Sequence, residues 1–169
     1  MNKDFFQTKI LRNINQTAEL TVDIVDYPGE WLLDLPLLQM SFEQWSEHMK
    51  QTLDEPGRAE LARDWLNLGA QLDPFSMADE QQIAKISQAY TDFLLECKST
   101  LGLHHIQPGR FVLPGELKGA PLLAFFPFVW LQGLEFNPEQ ASKHSAYAML
   151  KARYEHYQEH VVKQFYNQH

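Results

Sequence analysis

The sequence predicts a mainly α-helical single domain, and three observations predict it. Apolar residues recur at spacings of three and four through residues 41–101 and again through 138–166. Helix-start and helix-stop residues stand at the ends of those segments. Strand-like composition is confined to one short stretch, so alternating strand and helix units with a parallel sheet are not expected. The expected architecture is a helical bundle or orthogonal helical array of about five helices over residues 1–169, with at most a short strand or hairpin. At 169 residues, 44% hydrophobic and 21% charged, the chain is long enough for one core and is not composed like a disordered one.

Taken in order, residues 3–18 align Phe6, Ile10 and Ile14 as a helix would. Residues 21–27, TVDIVDY, are rich in β-branched side chains and read as a short strand, ended by Pro28-Gly29. Ser41 with Gln44 three residues later reads as a capping box. The helix it opens puts Phe42, Trp45, Met49 and Leu53 on one face. Pro56 suits the first turn of a second helix, faced by Leu61, Trp65, Leu68 and Leu72. A third helix opens at residues 76–79, carries Ile83, Ile86, Tyr90, Phe93, Cys97 and Leu101 on one side, and stops at Gly102. Residues 103–120 hold Pro108-Gly109 and Pro114-Gly115 and read as a long connection. Asn137-Pro138 is expected to open the last and longest helix, with Tyr147, Leu150, Tyr154, Tyr157, Val161 and Phe165 as its apolar stripe.

The segment GAPLLAFFPFVWLQGLEF, residues 119–136, carries no charge from Gly119 to Leu134. As a helix that run reaches about 24 Å, short of the roughly 30 Å of bilayer hydrocarbon. Pro121 and Pro127 interrupt it. It is therefore expected to be core or a docking surface, and no membrane association is expected.

The formal net charge is −8, which disfavours binding to nucleic-acid backbone. Charge is unevenly spread: residues 19–96 hold 16 acidic and 4 basic side chains, which suits capture of a basic protein partner. The single cysteine, Cys97, excludes an internal disulfide and fits a reducing compartment. With no secretory leader legible at the N-terminus, the expected location is the cytoplasm.

No reaction motif is legible. There is no Gly-x-Gly-x-x-Gly, no glycine-rich loop ending in Gly-Lys-Ser/Thr and no Gly-x-Ser-x-Gly. No His-Glu-x-x-His or Glu-x-x-His is present. His156 and His160 share a helical face but make only half a tetrahedral metal site, and His104-His105 lie in the long connection. These four are weak polar candidates, and no metal or cofactor is expected. The like-charged pair Glu43 and Glu47 at i, i+4 hints at a counter-charge from another element. The densest aromatic patch is Phe125, Phe126, Phe128 and Trp130, which with Tyr147 and Tyr154 is expected to form a partner or pocket surface.

The expected function is a non-catalytic acidic helical module for protein–protein interaction, self-associating as a homodimer to cover that patch. The alternative is a small-molecule-binding protein or enzyme, its pocket between residues 104–136 and the C-terminal helix.

Overall fold

The computed structural model describes residues 6–7, 23–24, 29–102, 106–130 and 137–164. It is mainly α-helical, as expected. Its elements are strands β1 (Phe6–Gln7) and β2 (Asp23–Ile24), then helices α1 (Gly29–Leu32), α2 (Phe42–Thr52), α3 (Arg58–Leu61), α4 (Arg63–Gly69), α5 (Glu80–Leu101), α6 (Gly109–Val112) and α7 (Ala146–Tyr157). A π-turn, Gln158–Val162, extends α7. Short 3-10 turns fill Leu35–Gln39, Gly115–Leu117, Pro121–Leu123 and Pro138–Gln140. Among the described residues no helix is long and apolar enough to cross a membrane.

Local chemistry accounts for the best-read elements. The Ser41 hydroxyl accepts from Gln44 N at 3.2 Å, and the Gln44 side chain accepts from Ser41 N at 2.8 Å, closing the box that starts α2. Asp79 caps α5 by accepting from Gln81 N and Gln82 N. Gly102, at φ 62°, ends α5 in the left-handed region that glycine enters without steric cost.

Three expectations fail. The helix read over 3–18 is contradicted at Phe6–Gln7, which pairs antiparallel with Asp23–Ile24 inside the stretch read as a strand; the rest of 3–18 lies outside the described residues. The helix read after Pro56 starts past Gly57, which takes φ 83°, and is two pieces, because the chain turns at Ala62 (φ −75°, ψ −6°) between α3 and α4. The last helix starts at Ala146, not Pro138. Asn137 caps only the short turn Pro138–Gln140, whereas the Ser145 hydroxyl accepts from Ala148 N and caps α7.

The core is a set of interlocked rings. Trp45 stacks on Tyr154 at 4.9 Å and 14°, and Trp65 stacks on Phe93 at 5.4 Å and 18°. Phe125 inserts between Trp45, Phe111, Tyr154 and Tyr157. Residues 125–129 are thus core, and the irregular backbone along residues 124–128 bonds to helix side chains, as burial requires. The Ser87 hydroxyl donates to the Phe125 carbonyl, Phe128 N donates to the Ser46 hydroxyl, and Arg153 Nη1 donates to the Ala124 carbonyl at 2.9 Å.

Candidate functional site

Phe125, Phe126 and Tyr154 are fully buried, Phe128 and Tyr147 nearly so, and Trp130 is partly buried against Phe126 and Phe128. These six residues pack on one another and on α2, α5 and α7, so the partner or pocket surface expected of them is corrected to core. The reason is geometric: a segment broken at Pro121 and Pro127 threads between helices instead of lying on them, which makes room for four large rings. The motive for a homodimer, an aromatic patch needing a second subunit, falls away with it. Rings along residues 125–130 fill part of the space between residues 104–136 and the C-terminal helix, and an open cleft remains there, lined by Leu122 and by Ala148, Met149 and Ala152 of α7. His104 and His105 lie outside the described residues. His156 and His160 stand side by side, ring centroids 4.2 Å apart, on the exposed side of the last helix. Among the described residues no three His, Cys, Asp or Glu side chains gather as a metal site would need. His156 lines an open cleft of about 770 Å³ with His144, Lys143, Arg153 and Met77. Arg153 is already spent there on a two-oxygen pair with Glu80 at 2.7 Å.

The counter-charge expected near Glu43 is real. Lys151 Nζ lies 2.9 Å from Glu43 Oε1, and the Tyr147 hydroxyl donates to the same oxygen. Burial pushes this carboxyl up, but the hydrogen bonds from Tyr147 and Lys151 outweigh it and hold it at about 2. Tyr147 is driven the other way, well above the ordinary phenol range, by burial and by the Glu43 carboxylate. An acid–base tyrosine must titrate near the working pH, so this trio is a tether between α2 and α7 and not a proton-transfer centre.

The densest buried polar chemistry is at Asp34, which the sequence reading passed over. Asp34 is 1% exposed. Its Oδ1 accepts from Gly109 N at 2.7 Å and its Oδ2 from the Tyr157 hydroxyl at 2.5 Å, joining the turn before Leu35 to α6 and α7. Beside it Arg110 is also buried, with its guanidinium 3.2 Å from the Trp31 ring centroid. Trp31 Nε1 donates to the Leu113 carbonyl, fixing α1 over α6. Burial raises Asp34 to about 6 against the lowering pull of Tyr157, Gly109 and Arg110, and burial lowers Arg110. The signal in the sequence was position: Asp34 is the one charge in WLLDLPLL, and Arg110 the one charge in PGRFVL.

Asp34 makes a pH prediction. Its folded value lies above its ordinary 3.8, so the folded state favours the protonated form. The stability this group contributes is full below about pH 4 and is lost as pH rises through about 6, by about 3 kcal/mol. Glu43 acts oppositely, contributing above pH 4.5 and losing that contribution as pH falls toward 2, but being a third exposed it is worth only about 1 kcal/mol. Urea unfolding of wild type and Asp34→Asn at pH 4 and pH 7 should show the variant gaining on wild type by about 2–3 kcal/mol at the higher pH. An unchanged difference would show that Asp34 is ionised throughout.

Comparison with known proteins places the chain in context. The family model described as YcjX-like family, DUF463, matches residues 5–169. A protein named Ras-like GTPase YcjX from Escherichia coli K12 is 47% identical over 161 residues, 95% of this chain and 34% of that protein. A protein of the same name from Shewanella oneidensis MR-1 is 41% identical over 167 residues, 95% of this chain and 33% of that one. The chain therefore spans about a third of the length of the curated relatives it matches. These relatives overturn the expected non-catalytic interaction module: similarity along nearly the whole chain is to proteins named as GTPases. No glycine-rich loop ending in Gly-Lys-Ser/Thr stands in these 169 residues, which match about a third of the relatives' length. By the extent of the match, this chain belongs to the YcjX-like family, DUF463.

Proposed function

We propose that this chain is a helical portion of a Ras-like GTPase and supports GTP binding and hydrolysis as scaffold. The observation that carries the proposal is 47% identity over 95% of the chain to a protein of that name. GTPases of the Ras type hold phosphate and Mg²⁺ with a glycine-rich loop ending in Gly-Lys-Ser/Thr. These 169 residues contain no such loop, and the residues present do not fit a magnesium–nucleotide site. No step of hydrolysis is therefore assigned to them. The phosphate-binding loop belongs, on this reading, to the two thirds of the family's length outside this chain.

What the fold supports is rigidity. α5, at 22 residues, makes a strut of about 33 Å, tied by ring contacts to α2 and α4 and by the Arg153–Glu80 ion pair to α7. Cys97, buried on α5, supports a reducing compartment, and we place the protein in the cytoplasm.

The test uses a chimera in which this chain replaces the matching third of the Escherichia coli relative. The chain alone should show no saturable Mg·GTP binding by calorimetry, and the chimera should bind within about tenfold of its parent, about 1.4 kcal/mol. A folded chimera that has lost GTP binding would overturn the proposal.

A further inference from the structure

We propose that Arg58 anchors a binding site for a small carboxylate with an apolar body, in the cleft between α2, the start of α3 and the turn Leu35–Gln39. The first observation is a buried guanidinium without a hydrogen bond. Arg58 opens α3 and is 6% exposed. Glu55 Oε2 lies 2.8 Å from its Nε. Yet Nε is sealed from solvent and has no hydrogen-bond partner, so this carboxylate is close but out of line. Glu55 is itself half-exposed, and an ion pair in contact with water holds weakly. Nη1 and Nη2 have no hydrogen-bond partner among the described residues. The groups of α5 that sense Arg58 supply no counter-charge. Burial raises the Tyr90 phenol and the Cys97 thiol, Arg58 pulls both down only in part, and both stay neutral. A guanidinium carries five donors, and buried donors call for acceptors.

The second observation is that this guanidinium lines a cleft. The cleft holds about 410 Å³, within the size range of small-molecule sites. Leu33, Pro36, Met40 and Met49 give it apolar walls. The polar groups beside Arg58 are committed: Gln107 Nε2 donates to the Leu33 carbonyl, and the Thr52 hydroxyl donates to the Met49 carbonyl at 2.6 Å. His48 also lines the cleft and is exposed. The Nη edge of Arg58 is therefore the uncommitted fork there.

The third observation is that the backbone holds Arg58 in place. Gly57 takes φ 83°, and a Cβ on it would stand 2.9 Å from Leu101 Cδ2. Bare backbone thus lets the entry of α3 press on the end of α5. Arg58 N donates to the Glu55 carbonyl at 3.2 Å, closing the turn. A fork fixed in this way presents two parallel N–H groups, which match the two oxygens of a carboxylate. Glu55 stands at the Nε edge and leaves the Nη edge open. Its own charge repels a phosphate dianion more than a carboxylate monoanion, and the apolar walls take the ligand's body.

The probe is 4-methylpentanoate, titrated into the chain by calorimetry. Wild type should bind it saturably, with a Kd of about 1 mM or tighter. The matching amide, 4-methylpentanamide, and inorganic phosphate should each bind at least about tenfold more weakly. Arg58→Gln should lose at least about tenfold. Glu55→Gln, changed at an exposed position, removes the competing carboxylate and should bind about threefold tighter; it decides the matter if Arg58→Gln does not fold. A free acid and the carboxyl end of a peptide share this chemistry. N-acetyl-alanyl-leucine tests the second source, and the tighter binder of the two acids tells which one the cleft fits. No saturable binding of either acid, an amide or phosphate that binds as well as the acid, a folded Arg58→Gln that binds like wild type, or a Glu55→Gln that binds no tighter would each overturn the proposal. Because no nucleotide is used, failure here leaves the GTPase reading untouched.

Discussion

Trp45→Ala should lower the stability of this protein by about 4 kcal/mol, the largest loss expected from one side chain. Trp45 is wholly buried. It stacks on Tyr154 of α7 at 4.9 Å, meets Phe125 edge-on at 5.6 Å, and meets Tyr90 of α5 edge-on at 6.3 Å. One indole therefore touches three separate parts of the fold, and its removal leaves a cavity whose rigid aromatic walls cannot collapse into it. Its Nε1 has no hydrogen-bond partner among the described residues, so the nitrogen adds no stability and carries a desolvation cost. Trp45→Phe should accordingly cost much less, roughly 1–2 kcal/mol. Urea midpoints at constant m-value measure both. A loss below about 1 kcal/mol for alanine would mean that the ring stack is not the centre of the core.

The second large effect is expected at a residue with no side chain. Gly69→Ala should destabilise by about 3 kcal/mol. In an unencumbered helix the same change stabilises, by as much as about 1 kcal/mol, so the sign alone is diagnostic. Gly69 ends α4 with ordinary backbone geometry, and the reason for glycine is contact: an added Cβ would stand 2.2 Å from Cη2 and 2.4 Å from Cζ3 of Trp130. The Trp130 ring cannot give way cheaply. It is stacked on Phe126 at 6.0 Å and meets Phe128 at 5.2 Å and Trp65 at 6.2 Å. Trp130→Leu in the Gly69→Ala background should recover part of the loss, since a smaller side chain frees the methyl's place. If Gly69→Ala melts at or above the wild-type temperature, Trp130 does not lie on α4 as described.

How much of this was legible in the sequence follows the range of the forces involved. α2 and α5 could be read almost to their ends, because a capping box at Ser41, a cap at Asp79 and a left-handed glycine at 102 act within one helical turn. The break at Ala62 and the late start of α7 could not. Asn137-Pro138 is a sound local start signal that produced one 3-10 turn, and the longer helix waited for Ser145. What fixes that start is non-local: Ala78 N donates to the His144 carbonyl and Ala146 N to the Ser76 carbonyl, clamping the entry of α7 to the entry of α5. The aromatic segment was legible as apolar and broken, but not as core, since the groups that hold its backbone, Ser46, Ser87 and Arg153, come from three different helices. The Asp34–Arg110–Trp31 cluster was missed because its members are 79 residues apart or less but share no period. Only their isolation as single charges in apolar runs pointed to burial. Function was the least legible: no nucleotide-binding loop stands in these 169 residues, which match about a third of the length of the relatives named as GTPases.

The central claim is that this helical chain is part of a GTPase, and GTP turnover by the chimera tests it most directly. With this chain in place of the matching third of the Escherichia coli relative, single-turnover hydrolysis of Mg·GTP should proceed within about tenfold of the parent rate, a barrier difference of no more than about 1.4 kcal/mol. The chain alone should give none above background. A chimera that folds and binds GTP yet turns it over no faster than the buffer, or an isolated chain that hydrolyses GTP by itself, would contradict the account.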